Sequence, residues 1–262
     1  MCLLVVVSRL LEEWPLVVGA NRDELYERPA TAMAVLSAAA PRILGGRDLL
    51  ADGTWLAVSD VGVVAALTNR PSGTGGRDPT KKSRGELPIL AAREASAAEA
   101  IERLRATVRP SDYNPAWMLV GDRASLYYVD VTGDQPSVEV LPPGLHVLEN
   151  RPLGAPSPKV DHVRALLAPL VEGKRTDVVG AMGTVLSNHD VPPGAEAEER
   201  PLAVAAACVH AERYGTRWSG VAGIPASASL RPLMLYTDGP SCRSERRDAS
   251  ILWDDARDPG QT

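Results

Sequence analysis

The sequence predicts an α+β fold in which mostly antiparallel sheets carry helices grouped on their outer faces. Three observations carry this. Strand-type and helix-type stretches come in blocks (strands, helices, strands, helices, strands) rather than in the strict alternation of a parallel sheet. Neighbouring strand-type runs are joined by short links of the hairpin kind. No internal repeat and no linker divides the 262 residues, so 1–262 is expected to form a single domain, with 239–262 a polar C-terminal tail.

Taken in order, Leu3 to Ser8 and Leu16 to Ala20 are β-branched runs joined by a polar, Pro-containing link, which predicts a hairpin. A turn centred near residue 12 sets Val7 opposite Val17 and Cys2 opposite Asn21-Arg22-Asp23. Thr54 to Val58 and Val63 to Leu67 flank Ser59-Asp60-Val61-Gly62 and predict a second hairpin, with Asn69 just past its end. Ser83-Arg84-Gly85-Glu86 and Ser96-Ala97-Ala98-Glu99 both fit a capping box, so the Ala-rich stretch Leu87 to Ala106 predicts two helices or one broken helix. Strands are expected at 117–120, 125–131, 138–141 and 145–148, separated by Gly- and Pro-containing turns. Helices are expected at 159–170 and 176–186, then strands at 204–209, 220–224 and 232–236. Residues 72–82, with Gly73, Gly75 and Gly76, read as the most flexible interior loop, and the polar stretch after Asp238 as loosely held.

Nearly half of the residues are hydrophobic, enough for a sizeable core, and with no Phe the five Trp and six Tyr carry the aromatic packing. The net charge of −5 is spread along the chain and argues against a nucleic-acid or anionic-membrane partner, which favours a basic face. The apolar run Leu3 to Val7 is shorter than a signal-peptide core and lacks a basic flank, and no stretch approaches the roughly 20 apolar residues of a membrane span. A cytoplasmic protein without stable membrane insertion is expected, with reduced thiols. Cys2, Cys208 and Cys242 show no CxxC pairing and read as separate thiols, neither a disulfide frame nor a zinc site. The sequence has no GxxxxGK[ST], GxGxxG, HExxH or GxSxG motif, and His146, His162, His189 and His210 show no short metal-ligand spacing. No cofactor and no metal are expected.

Cys2 carries the chemistry. Removal of Met1 would make it the first residue, with a thiol and its own α-amine on one carbon. The amine titrates at roughly 7.7–8.0 and the thiol at about 8.5, so the amine can serve as base for the thiol without a histidine. The hairpin sets Asn21-Arg22-Asp23-Glu24 beside it, where an Asp would orient the amine and an Arg would favour the thiolate.

Met1-Cys2, Ala20-Asn21-Arg22-Asp23-Glu24, Arg28-Pro29, Gly45-Gly46-Arg47-Asp48-Leu49, Gly53-Thr54-Trp55, Leu67-Thr68-Asn69-Arg70, Ser83-Arg84-Gly85-Glu86-Leu87 and Tyr214-Gly215-Thr216-Arg217 together resemble the NRDE family, also called the transport and Golgi organisation protein 2 family. The resemblance spans residues 1 to about 237, in order. It implies a four-layer αββα sandwich of two mostly antiparallel sheets, the fold of the N-terminal nucleophile hydrolases. The nearest functional analogues resemble penicillin V acylase and bile salt hydrolase. Carried over, that picture puts the nucleophile at Cys2, supporting charges at Arg22 and Asp23, an oxyanion donor at Asn69, a second amide at Asn150 and a late arginine at Arg217. Oxyanion donors of this type contribute roughly 3–4 kcal/mol each.

Asp23 directly follows Arg22, whereas the hydrolases place their Asp three residues on. Trp218 precedes Ser219 where the family has small hydroxylated residues, and Ser157-Pro158-Lys159 stands where it has Trp-Pro-Lys. The implied activity is hydrolysis of a non-peptide amide or acyl bond of a small molecule. The alternative is a non-catalytic haem or lipid/acyl-CoA binding and trafficking protein on the same fold. A class II glutamine amidotransferase also starts Met-Cys, but it continues Gly-Ile and carries an Arg-Gly-Pro-Asp-like segment, neither of which is present.

Overall fold

The computed structural model describes residues 2–71, 77–174, 176–198 and 201–254. The first strand, β1 (Cys2–Ser8), turns back into β2 (Leu16–Leu25), and both are apolar enough to be buried on their two faces. Their register pairs Cys2 with Arg22 and Val7 with Val17, as the turn arithmetic requires. Next come β3 (Ala30–Ser37), β4 (Ile43–Asp48), β5 (Leu56–Ser59) and β6 (Val64–Asn69). The first two strands of that set were not foreseen. Their Ala, Met, Gly and Arg content lacks the β-branched signal, and Gly45-Gly46 interrupts any alternation.

Helices α1 (Glu86–Ala92) and α2 (Ala97–Thr107) follow. The second capping box forms as read, with the Ser96 hydroxyl accepting from the Glu99 N–H at 3.2 Å. The first does not: Ser83 accepts from Gly85 N–H, and Gly85 is the cap residue. Strands β7 (Ala116–Gly121), β8 (Leu126–Val131), β9 (Ser137–Val140) and β10 (Gly144–Leu148) lead to α3 (Pro158–Val171) and α4 (Val178–Ser187). The chain closes with β11 (Tyr214–Ile224), β12 (Leu233–Asp238) and β13 (Arg247–Asp248).

The expected strand at 204–209 is instead a 3₁₀ turn, Leu202–Val204, followed by a buried irregular segment. Its backbone is satisfied from outside a sheet. Cys208 N–H donates to the Asn188 carbonyl, Val209 N–H donates to the Thr216 hydroxyl, and the Ala207 carbonyl accepts from the Asn21 side chain. Of the loop expected to be flexible, 72–76 lie outside the described residues. The stretch after Asp238 is not loose as far as Asp254: β13 pairs with β12, and Trp253 is buried with its ring N–H donating to the Pro232 carbonyl.

All pairings between these strands are antiparallel. One sheet runs β10-β1-β2-β11-β12-β13 and the other β3-β4-β5-β6-β7-β8-β9. Alternation along the strands divides the core. Leu4, Val6, Leu16 and Val18 meet Leu44, Trp55, Leu56 and Leu119 between the sheets. Leu3, Val5, Val7 and Val17 pack outward against Val163, Leu167, Met182 and Leu186 of α3 and α4, while Leu67, Met118 and Val129 pack outward against α1 and α2. The layers are helix, sheet, sheet, helix. Each fully buried Leu or Val contributes roughly 1.5–3 kcal/mol. Among the described residues no helix is long and apolar enough to cross a membrane.

Cys208 and Cys242, expected to be separate, have sulfurs 3.7 Å apart. The cause is topological. Cys208 leads into β11 and Cys242 follows β12, and antiparallel pairing brings the start of one to the end of the other. Spacing along the chain does not reveal such a meeting.

Candidate functional site

Three neighbouring strands build the site. In the first sheet β2 lies between β1 and β11, with Cys2 opposite Arg22, Arg22 opposite Trp218 and Asp23 opposite Thr216. Period-two alternation puts Cys2 and Arg22 on the face between the sheets, with Asn21 and Asp23 on the helix-covered face. The packing agrees. Arg22 lies over the Trp55 ring at 4.6 Å, while the Asn21 amide donates to the Leu186 and Ala207 carbonyls at 3.0 and 2.9 Å.

Cys2 sits half-buried at a cavity of about 240 Å³ whose walls include Arg22, Asp23, Asn69, Trp55 and Arg84. Its main-chain N–H donates to Asn150 Oδ1 at 2.7 Å, and Asn150 in turn donates from its amide nitrogen to the Asn69 carbonyl. That second bond ties the end of β6 in one sheet to the chain after β10 in the other. The Asp23 N–H donates to the Cys2 sulfur.

Burial pushes the Cys2 thiol above its ordinary pKa and the Asp23 carboxylate adds to the rise, while the N-terminal charge and, less strongly, the Arg22 guanidinium pull it down. The balance is upward, so Arg22 moderates a protonated thiol rather than maintaining a standing thiolate. Asp23 is itself shifted up, first by burial, against the opposing pull of Lys159 and the hydrogen bond it accepts from the Thr216 hydroxyl at 2.6 Å. Lys159 of α3 is 1% exposed, and Glu149, 2% exposed, accepts from the Ser157 hydroxyl. Ser157 is thus the cap of α3 and a partner of Glu149, and it does not line the cavity.

Arg22 also pairs with Asp48 at 2.7 Å, and Asp48 with Arg28 at 2.7 Å. Among the described residues the other Arg22 terminal nitrogen, Nη1, which is buried, has no hydrogen-bond partner. Burial raises the Asp48 carboxyl, but hydrogen bonds from Arg28 and Ala51 and the charges of Arg28 and Arg22 outweigh it, and the net shift is downward. Trp218 stacks edge-on against Trp55 at 5.4 Å and donates to the Ala32 carbonyl. It therefore fills the space between the sheets and leaves the cavity wall unchanged.

Five of the six expected site residues, Cys2, Arg22, Asp23, Asn69 and Asn150, come together. Arg217 does not join them: the bulge between Thr216 and Trp218 turns it to the carbonyls of Leu25, Tyr26 and Arg28, where it braces the turn after β2. Arg84 was not foreseen. It lines the cavity and is anchored by donating to the Pro115 carbonyl at 2.9 Å; burial, with Arg77 nearby, lowers its pKa. Its segment, Ser83-Arg84-Gly85-Glu86, reads as a helix start, and that reading conceals a cavity residue. Gly53 and Gly85 explain its approach. A Cβ on Gly53 would lie 2.6 Å from Gly85 Cα, and Thr54 N–H donates to the Gly85 carbonyl at 2.9 Å, so the two backbones cross in contact.

The sequence model of the family described as Transport and Golgi organisation 2 matches residues 1–229. The chain belongs to that family. A Transport and Golgi organization protein 2 homolog of Bos taurus is 32% identical over 237 residues, covering 82% of this chain and 84% of the relative. The Homo sapiens homolog is 28% identical over 239 residues, with the same coverage. Among solved structures, a Caenorhabditis elegans N-acylethanolamine-hydrolyzing acid amidase ortholog superposes with a TM-score of 0.58 at 16% identity, covering 93% of this chain and 98% of that one. A single-residue variant of conjugated bile acid hydrolase from Clostridium perfringens gives 0.59 at 12% identity, covering 98% and 95%. At these identities the likeness establishes the fold. This member of the Transport and Golgi organisation 2 family has the two-sheet sandwich of the N-terminal nucleophile hydrolases.

Proposed function

We propose that this chain is an N-terminal-cysteine hydrolase of an amide or related acyl bond in a small molecule, with Cys2 as nucleophile once Met1 is removed. The observation that supports it most directly is the setting of Cys2: sulfur at the cavity wall, main-chain nitrogen held by Asn150 Oδ1, and Asn69 and Arg22 on the same wall. Two structures of the same fold are named for hydrolysing an N-acylethanolamine and a conjugated bile acid.

In this reading the freed α-amine, oriented by Asn150, takes the thiol proton. The thiolate attacks the acyl carbon, and the carbonyl oxygen becomes an oxyanion facing Asn69 and Arg22 Nη1. The ammonium gives its proton to the leaving nitrogen as the C–N bond breaks. Water then enters with the amine as base, and the thioester opens to the acid and free Cys2. An upward-shifted thiol suits this sequence, because the proton leaves only when a base is placed to take it.

The lining also describes the substrate. Arg22, Arg28, Arg77, Lys82 and Arg84 face three carboxylates, Asp23, Glu24 and Asp48, so the wall carries surplus positive charge and favours a substrate with an anionic group. The volume is below the roughly 300–1,000 Å³ of pockets that engulf a drug-sized ligand, so the cavity holds the reacting end.

Intact mass after exposure to an activated acyl ester tests the reading. A chain lacking Met1 that gains one acyl group at Cys2, and none in Cys2→Ala, is the expected result. Retained Met1, or labelling that survives Cys2→Ala, overturns it. The binding reading on the same cavity is separated by a haem titration. Among the described residues no histidine lines the cavity, so an absorbance change there requires Cys2 and disappears in Cys2→Ala.

A further inference from the structure

Away from the Cys2 cavity, four side chains able to ligate a metal converge at the open end of the first sheet. His189 follows α4, Cys208 and His210 precede β11, and Cys242 follows β12. The Cys208 and Cys242 sulfurs are 3.7 Å apart, Cys208 Sγ lies 3.6 Å from His210 Nε2, and that same nitrogen lies 3.2 Å from Cys242 Sγ. The ligand atoms of His189, His210 and Cys242 all lie within 4.8 Å of one another. His189 Nδ1 is 3.3 Å from the Ser187 carbonyl, a contact that suits the tautomer with Nε2 as the ligating nitrogen.

These separations are those of a coordination shell. With Zn–S about 2.3 Å and Zn–N about 2.0 Å, tetrahedral angles give S···S edges of about 3.8 Å and S···N edges of about 3.5 Å. The three observed distances fall within about 0.3 Å of those values. A disulfide requires sulfurs about 2.05 Å apart, and both thiols are free.

We propose that His189, Cys208, His210 and Cys242 form a Cys₂His₂ site for a structural zinc ion. The donor set is that of a closed structural zinc centre, and a borderline-soft divalent ion suits its thiolates and imidazoles. The ion would join the chain after α4, the entry to β11 and the exit of β12, three segments that otherwise meet through loops. Binding exchanges protons for metal: Zn²⁺ enters, two thiols become thiolates and two protons leave. Because each thiol must shed its proton to ligate, affinity rises with pH. The site abuts the Cys2 cluster through Thr216, whose hydroxyl donates to Asp23 and bonds to the Cys208 thiol.

Metal analysis of the full chain, purified under reducing conditions with zinc supplied and then desalted, tests this directly. One zinc per chain is expected in the wild type and in Cys2→Ala, with more than tenfold loss in Cys208→Ser and in Cys242→Ser. Cobalt in place of zinc should give the intense visible bands of a tetrahedral ion and a thiolate charge-transfer band in the near ultraviolet, absent from the half-exposed loop variant Cys242→Ser. That variant's near-wild-type circular dichroism would show that the loss is not unfolding. A wild type without zinc, zinc retained in the double cysteine variant, the weak spectrum of octahedral cobalt, or a Cys208–Cys242 disulfide in place of metal would each overturn the proposal.

Discussion

At Cys2 two opposing electrostatic effects meet in one thiol. Burial and Asp23 hold the proton on, while Arg22 favours its departure. Taking Arg22 away leaves only the N-terminal charge and the Asp23 N–H to oppose the first two. In Arg22→Gln the pH midpoint for alkylation of Cys2 should therefore rise by about one unit, the lower end of what an adjacent opposite charge supplies. Iodoacetamide labelling followed by mass spectrometry across pH reads this. A midpoint that stays or falls would show that Arg22 serves Asp48 and Trp55 rather than the thiol. The other residue-scale lesson is Arg217. Its place in the Tyr-Gly-Thr-Arg segment suggests the cavity, yet a single bulged position turns it to the backbone of the turn after β2. Sequence alone does not encode that, because a bulge depends on how two strands close on each other.

Among the elements, the first hairpin was legible because its turn length and its β-branched runs agree, and its register followed by counting. Helix α2 was legible through Ser96 and Glu99. The strands β3 and β4 were not, since their side chains are chosen to fit around Trp55 and the neighbouring strand rather than for strand propensity. The segment 204–209 misled in the opposite sense: its apolar composition reflects burial, but its hydrogen bonds go to Asn21, Asn188 and Thr216. The family fragments named five residues that the fold brings together, more than the periodicity did, and even so left Arg84 unassigned. The Gly53–Gly85 crossing is what sets Arg84 at the cavity. Gly85→Ala would bring its methyl to 2.7 Å from Thr54 N, which cannot be accommodated without moving backbone. A destabilisation of about 2–3 kcal/mol is expected, with loss of Cys2 acylation even where the protein remains folded. Denaturant unfolding checks the first and intact mass the second. An unchanged midpoint would mean that the two segments separate freely.

For the whole molecule, the site lies where the two sheets part, and charge pairs help close the gap. Asp48 of the second sheet holds Arg22 of the first. Because its folded pKa is depressed, its contribution is present above the unfolded value of about 3.9 and is lost as pH falls through the folded value. Asp48→Ala should cost about 2 kcal/mol at pH 7, discounted for partial exposure, and the gap from wild type should shrink as pH falls below about 4. Thermal unfolding of both proteins from pH 7 to pH 3 measures it. A gap that widens on acidification would contradict the assigned sign. Architecture was the most legible property, since block order of elements is a property of composition. The meeting of Cys208 with Cys242 was invisible, since it depends on which strand ends become neighbours.

The alternation of β2 has a consequence for inheritance. Asn21, Arg22 and Asp23 occupy three adjacent codons, but the Arg22 side chain lies between the sheets, Asn21 reaches the Leu186 and Ala207 carbonyls beneath the helices, and Asp23 sits at the cavity wall while accepting from Thr216. Missense changes at the first codon should yield heat-sensitive protein whose Cys2 still acylates when kept cool, whereas changes at the second should abolish acylation at every temperature, besides the stability lost with the Arg22–Asp48 pair. A one-codon deletion within the strand would shift the frame of the sheet while preserving the frame of translation, presenting a guanidinium to the helices and Asn21 or Asp23 to the cavity.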